Sequence, residues 1–399
     1  MKKVRFNQNW FFTFENTLDA FNTFGFDKYS DAAGAAARFY DYSNWQAVEL
    51  PHDWTLSLQK TPLANTFAGA YPNTSYHHFM SERRSNLDTV YSIGWYRKQF
   101  VTKPEWKGKR IFIEFEGVFR DAIVWVNGVY LDRHTSGYTS FAIEITDHLI
   151  YGAENSVAVR VDSEQAEGWW YEGAGLVRPV RLSLRPFLHF KLEDIFIHTE
   201  PNEKEWLLTT HVPISKEEDY QVLVFLLDAD GTVIFSEKSI NHAHTFRASV
   251  VDPCLWSPEH PYLYTLEAHL VQDGQVLDRV QKKIGFRDVS WDAERGMLLN
   301  GERYPIKGVC CHEDHAGVGC AVPPAVEEYR LMRLKSMGVN AIRTAHNPPA
   351  PELLDLCDEH GVLVWEESLG WGNGSHSQMA SCELTNTTFR AQQVHQTRE

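Results

Sequence analysis

Three strings decide the fold: YPIKGVCCHEDH at 304–315, NAIRTAHNPP at 340–349 and VLVWEES at 362–368. Each opens apolar and closes on polar or ionisable residues. Tyr304–Val309 reads as an apolar strand. Pro323-Pro324 then opens a helix, because proline fits the first turn. Leu331, Leu334 and Met337 recur at threes along it, and Gly338 stops it. Asn340–Thr344 is a second strand. Pro351 to His360 is a second helix, closed by Gly361. Val362 to Trp365 is continuously apolar, as a parallel strand covered by helices on both faces should be. The order β-α-β-α-β predicts an α/β unit. Residues 370–384 read as loop, and Thr385 or Asn386 would cap a last helix running to Glu399.

Outward toward the N-terminus the pattern becomes all-β. From Val4 to about Pro186, short runs rich in Val, Ile, Phe and Trp are bounded by Gly, Asp and Asn. Val124-Trp125-Val126 leads into Asn127-Gly128, the strongest short hairpin signal. Many short strands with such punctuation predict a β-sandwich jelly roll over residues 1–186. The polar stretch from Leu56 to Leu87 reads as a long loop. A second β block covers 187–289. There Gln221–Leu227 and Thr232–Ser236 flank the turn 228–231, and Tyr262–Val271 and Gln275–Ile284 flank Gln272-Asp273-Gly274. About 100 residues of such hairpins suit an immunoglobulin-like sandwich. The third region, 290–399, opens on the hairpin lead-in Met297–Glu302.

Composition narrows the function classes. Hydrophobic residues are 43% of 399, enough for several cores. Aromatic residues are 13%, with 13 Trp. Such rings stack on sugars, although ordinary sandwich cores also absorb them. The net charge of −15 gives a polyanion such as nucleic acid little to bind. No apolar run reaches the ~18 residues of a membrane span. Met1 to Asn9 lacks the apolar core of a secretory signal. The six cysteines are scattered and suggest no disulfide framework. These features together predict a cytoplasmic protein.

In a (β/α) barrel the C-terminal strand ends build the active site. Three successive strands ending in ionisable residues therefore point to chemistry. A zinc site is a poor fit. The second His of His312-Glu313-Asp314-His315 falls at i+3 rather than i+4, and it follows a strand rather than lying in a helix. Cys310 and Cys311 are neighbours and point to opposite faces of an extended chain. No G-x-S-x-G elbow suggests a serine hydrolase.

The motifs along the chain resemble glycoside hydrolase family 2 of the β-galactosidase type. Residues 45–54 look like its opening "W-x-x-V-x-L-P-H-D-W", and Gly94–Phe100 like its "G-W-Y-R-K-x-F" strand. Phe115–Val118, Val124–Gly128 and Ser136–Phe141 match its jelly roll in order. Gly168–Arg178 is similar to its "W-Y-x-G-A-G-I-Y-R" loop. Leu255–Tyr264 and Gly285–Arg287 match its sandwich domain. The resemblance implies a jelly roll, an immunoglobulin-like sandwich, and then the first β/α units of a TIM barrel. It also implies retaining hydrolysis of terminal β-D-galactosides. By position, Gly308–His315 matches "G-V-x-x-H-E-x-H", which implies that His312 hydrogen-bonds the sugar. Arg343–His346 matches "R-T-x-H", which implies that His346 contacts the sugar and Arg343 braces the nucleophilic carboxylate. Asn347-Pro348-Pro349 resembles the galactosidase version rather than the glucuronidase one. Trp170 is a further candidate for lining the sugar pocket.

Two departures shape the expectation. Some relatives bind magnesium soon after the third barrel strand. Here Trp371-Gly372-Asn373-Gly374 occupies that region, so no metal or other cofactor is expected. The acid/base in the family sits in an Asn-Glu dipeptide on a later strand. The sole Asn-Glu is Asn202-Glu203, in a charged turn. Glu366 and Glu367 are adjacent and cannot flank one bond together. Both catalytic carboxylates are thus expected beyond Glu399, with the barrel incomplete and hydrolysis by this chain negligible. Alternatives remain. One is a non-catalytic carbohydrate-binding or scaffold protein, and another a β-glucuronidase-like member. The chain could also work as a homo-oligomer or with a complementing second chain.

Overall fold

The computed structural model describes residues 2–15, 34–57, 93–163, 171–203, 205–216, 218–240 and 244–367. In chain order the first strands are β1 (Lys2–Arg5), β2 (Trp10–Phe14), β3 (Gln46–Val48), β4 (Ile93–Val101) and β5 (Arg110–Phe115). They continue with β6 (Ala122–Val126), β7 (Val129–His134), β8 (Phe141–Glu144), β9 (Glu154–Asp162) and β10 (Val180–Arg185). They form two antiparallel sheets, ordered β1-β10-β5-β8 and β3-β2-β4-β9-β6-β7. Alternation explains the packing. In β5, Ile111, Ile113 and Phe115 are fully buried while their neighbours are half-buried. Each such side chain contributes roughly 1.5–3 kcal/mol on burial. Asn127 and Gly128 both take positive φ, and the chain reverses there between β6 and β7.

The next seven strands are β11 (Phe196–Asn202), β12 (Glu205–His211), β13 (Gln221–Leu227), β14 (Val233–Ile240), β15 (Thr245–Val251), β16 (Tyr264–Gln272) and β17 (Gln275–Ile284). Sheets β11-β12-β15 and β14-β13-β16-β17 enclose a second core around Phe190, Val224, Leu266 and Phe286. Asn202 ends β11 and Glu203 opens the turn to β12, with φ 53 and its side chain exposed. That is the solvated turn expected. A small sheet of β18 (Val289–Asp292), β19 (Gly296–Leu299) and β20 (Glu302–Arg303) follows, turning at Asn300-Gly301.

The remaining elements are β21 (Gly308–Cys311), α1 (Pro324–Ser336), β22 (Ala341–Thr344), α2 (Pro351–His360) and β23 (Leu363–Trp365). The three strands are parallel in the order β21-β22-β23. The first of them lies further along than expected. Tyr304–Lys307 precedes the ladder, and Cys310 and Cys311 belong to the strand. Pro305 has no N–H to give a ladder. Asn340 instead bonds this lead-in through its side chain, accepting from Lys307 and donating to Pro305. One face of the strands packs on α1 and α2 through Ile342, Leu331, Cys357 and Val362.

This parallel unit is fastened to both sandwiches. Trp256 is fully buried at the second seam and donates Nε1–H to the Asp358 carbonyl at 2.9 Å. Gly361 ends α2 in the left-handed region, and a Cβ there would lie 2.4 Å from the Pro258 carbonyl oxygen. Glycine is therefore required both by the helix end and by the seam. Seven of the tryptophans, from Trp10 to Trp256, are buried in these cores and seams. The aromatic excess is thus largely ordinary core. Among the described residues no helix is long and apolar enough to cross a membrane. The five described cysteines are free thiols. Most of the stretch read as a loop, the expected last helix, and Trp371–Gly374 lie outside the described residues, as does Trp170.

Candidate active site at the ends of three parallel strands

Register brings Cys310, Arg343 and Trp365 into one row across β21, β22 and β23. Side chains alternate, and the neighbouring row through Ile342 packs on α1 and α2, so this row takes the opposite face. Arg343 donates from Nε to Glu367 at 2.7 Å and from Nη1 to the Cys310 sulfur at 3.4 Å. Its Nη2 lies 3.2 Å from Nδ1 of His346, which stands 3.3 Å from Glu367. The His312 and His346 rings meet edge to face, with centroids 5.4 Å apart. The expected trio of His312, Arg343 and His346 is therefore assembled at neighbouring strand ends.

Glu367 is the member that sequence reading undervalued. The sequence marks it as a strand-end residue, and the fold makes it the partner of Arg343. Its backbone N–H also reaches the Thr344 hydroxyl at 3.3 Å, which fixes the start of the loop after β23. His346 and Asn347 are buried. Burial pushes the His346 imidazole below its usual pKa, and the Arg343 charge adds to this against the pull of Glu367. A neutral imidazole results near pH 7. The interactions with Cys310 and Glu367 hold the Arg343 guanidinium in its charged form, above its usual pKa.

Behind the strand ends, α1 and α2 leave a pocket of about 30 Å³, large enough to admit water. Glu327, Arg330, Thr344 and Asn347 are among its lining residues. Burial raises the pKa of Glu327, opposed by Arg330. Arg330 also donates to the His312 carbonyl at 2.9 Å, bracing that residue from the helix side. Among the described residues no three His, Cys, Asp or Glu are grouped to hold a metal ion.

The loop after β21 is held by the first sandwich as well. Arg178 donates to Glu313 at 2.7 Å. Asp53, buried, accepts the Cys320 N–H at 3.0 Å and the Tyr171 hydroxyl at 2.9 Å. Neither Arg178 nor Asp53 stood out in the sequence as a site residue, although both fall inside motifs already quoted.

Three family models cover the chain in order. Glycosyl hydrolases family 2, sugar binding domain, matches residues 14–185. Glycosyl hydrolases family 2 matches 190–287, and its TIM barrel domain matches 293–398. A β-galactosidase of Bacteroides ovatus is 35% identical over 354 residues, which are 85% of this chain and 39% of that protein. A β-glucuronidase of Bacteroides fragilis is 33% identical over 354 residues, 83% of this chain and 51% of that protein. The crystal structure of a β-glycosidase from Bacteroides vulgatus superposes with TM-score 0.80 at 30% identity, covering 99% of this chain and 49% of that one. The chain thus spans about half the length of these relatives or less. Jelly roll, immunoglobulin-like sandwich and the opening β/α units of a TIM barrel follow one another here as they do in those models, and the chain belongs to the glycosyl hydrolases of family 2.

Proposed function

We propose that this chain forms the sugar-gripping part of a retaining β-galactosidase-type site. The observation that carries the reading is the convergence of His312, Arg343, His346 and Glu367 at three neighbouring strand ends. An oxocarbenium-like transition state needs sugar hydroxyls held by oriented groups whose bonds strengthen as charge develops. His312 and His346 take that role, with Asn347 beside them. Arg343 braces carboxylate, in this chain Glu367. The acid/base and nucleophile, about 5–5.5 Å apart in retaining enzymes, are assigned to later barrel strands. Glu367 is committed to Arg343 and His346, and Glu366 is its chain neighbour, so these two do not form that pair.

Among the described residues, the pairing of the arginines near the strand ends favours a neutral sugar. Arg343 is paired with Glu367, Arg178 with Glu313, and Arg330 with Glu327 and the His312 carbonyl. A uronate would need a cation that is not already engaged. The second reading, a β-glucuronide, draws on relatives of similar identity that carry that name. Saturation-transfer NMR on the chain tests both, using methyl β-D-galactoside and methyl β-D-glucuronide. Transfer to the galactoside, lost in His312→Ala and His346→Ala, is expected. Transfer to neither sugar, or transfer indifferent to both substitutions, would overturn the reading. Strong transfer that survives both substitutions would instead indicate a binding module in the jelly roll.

A further inference from the structure

We infer that Arg178, a residue of the first sandwich, positions both sugar-gripping loops of the barrel at once. Its side chain is 3% exposed. Nε donates to Glu313, next in sequence to His312, at 2.7 Å. Nη2 donates to the Pro348 carbonyl, two residues beyond His346, at 2.8 Å. Nη1 reaches the Tyr138 carbonyl at 2.6 Å and the Glu116 carbonyl at 3.4 Å. One rigid fork therefore spans from the jelly roll to the loops after β21 and β22. The jelly roll makes room for it at Gly117, where a Cβ would lie 2.6 Å from Arg178 Cδ. Lysine cannot reproduce this, because a single ammonium does not direct bonds from three separated nitrogens in one plane.

Arg178 bonds Glu313 and the Pro348 carbonyl, near chain neighbours of the two histidines. It is a positioning residue, and its importance for sugar rests on the function proposed above. What it controls is the separation of His312 from His346, whose rings now sit 5.4 Å apart. Arg181 offers a control. It also crosses from the jelly roll, pairing with Glu352 of α2 at 2.8 Å, but it holds neither strand-end loop.

The test records the imidazole NMR signals of His312 and His346 in the whole chain, with far-UV circular dichroism as the check of folding. Arg178→Lys is expected to stay folded and to shift both signals by several linewidths. Arg181→Lys is expected to leave both in place. Unmoved signals in a folded Arg178→Lys protein would overturn the inference. So would equal shifts in Arg181→Lys, since any loosening of the seam would then suffice. Should Arg178→Lys fail to fold, Glu313→Gln keeps the fork but removes its charged arm. The reporter is then His346 on the other loop, which must move if Arg178 couples the two and stays put if it does not. None of these signals requires sugar. Absent saturation transfer in the wild type would therefore count against the sugar reading alone.

Discussion

Replacing Asp53 by Asn should loosen the junction between the first sandwich and the loop after β21. Asp53 is 4% exposed and accepts five hydrogen bonds. Oδ1 takes the Thr55 N–H, the Thr55 hydroxyl and the Ala174 N–H at 3.1, 2.7 and 3.1 Å. Oδ2 takes the Tyr171 hydroxyl and the Cys320 N–H at 2.9 and 3.0 Å. An amide turns one oxygen into a donor, so in either orientation at least two donors face another donor. A buried donor left unsatisfied costs about 1–3 kcal/mol. With the Tyr171 hydroxyl free to rotate toward Thr55, a loss of about 2–5 kcal/mol is expected. Urea unfolding followed by tryptophan fluorescence measures it, comparing the first transition. A second readout is specific to the carboxylate. Burial holds the Tyr171 phenol far above its usual pKa, and the Asp53 charge raises it further. Spectrophotometric titration should therefore find Tyr171 ionising at lower pH in Asp53→Asn. A stability loss below about 1 kcal/mol, with an unchanged tyrosinate titration, would refute the account of Asp53 as an anchor.

Three further outcomes are expected. Turnover of an aryl β-galactoside by this chain should be negligible; clear turnover abolished by His346→Ala would refute the assignment of the carboxylate pair to later strands. The depressed His346 pKa gives pH dependence a definite sign. The unfolded imidazole protonates near pH 6.5 and the folded one only below that, so its contribution to stability is complete above about 6.5 and lost as pH falls through the folded value. His346→Gln should flatten the Tm profile on the acid side of about pH 6.5, and a slope unchanged by the substitution would contradict this. Trp256→Ala should cost about 3–5 kcal/mol in urea unfolding, as large buried aromatics do, and should loosen α2 through the lost bond to Asp358.

Local chemistry made much of the fold legible. Asn127-Gly128, Asp273-Gly274 and Asn300-Gly301 all take positive φ at hairpin turns, as their residue types require. Pro324, Gly338 and Gly361 marked the helix ends within a residue or so. The convergence of His312, Arg343 and His346 was legible because parallel strands carry their last residues to one edge. The start of β21 differs from the apolar run at Tyr304–Val309, because Pro305 has no N–H for the ladder and the strand begins at Gly308. Arg178 and Asp53 were not legible as site residues. Their roles exist only where the jelly roll meets the barrel, and a one-dimensional pattern carries no signal for a contact between such distant segments. Glu367 was visible as a charge but not as a partner.

Among the described residues, the parallel unit packs through two clusters of four buried side chains, one of which takes in Trp256 from the neighbouring sandwich. Its strand-end loops are tied to the first sandwich through Arg178 and Asp53. Variation at 52–54 or 173–178, remote in sequence from the strand ends, consequently reaches the geometry of those strand ends. When natural or engineered variants of such proteins are sorted, substitutions in these two stretches belong with those of the strand-end cluster rather than with changes in a separate front module.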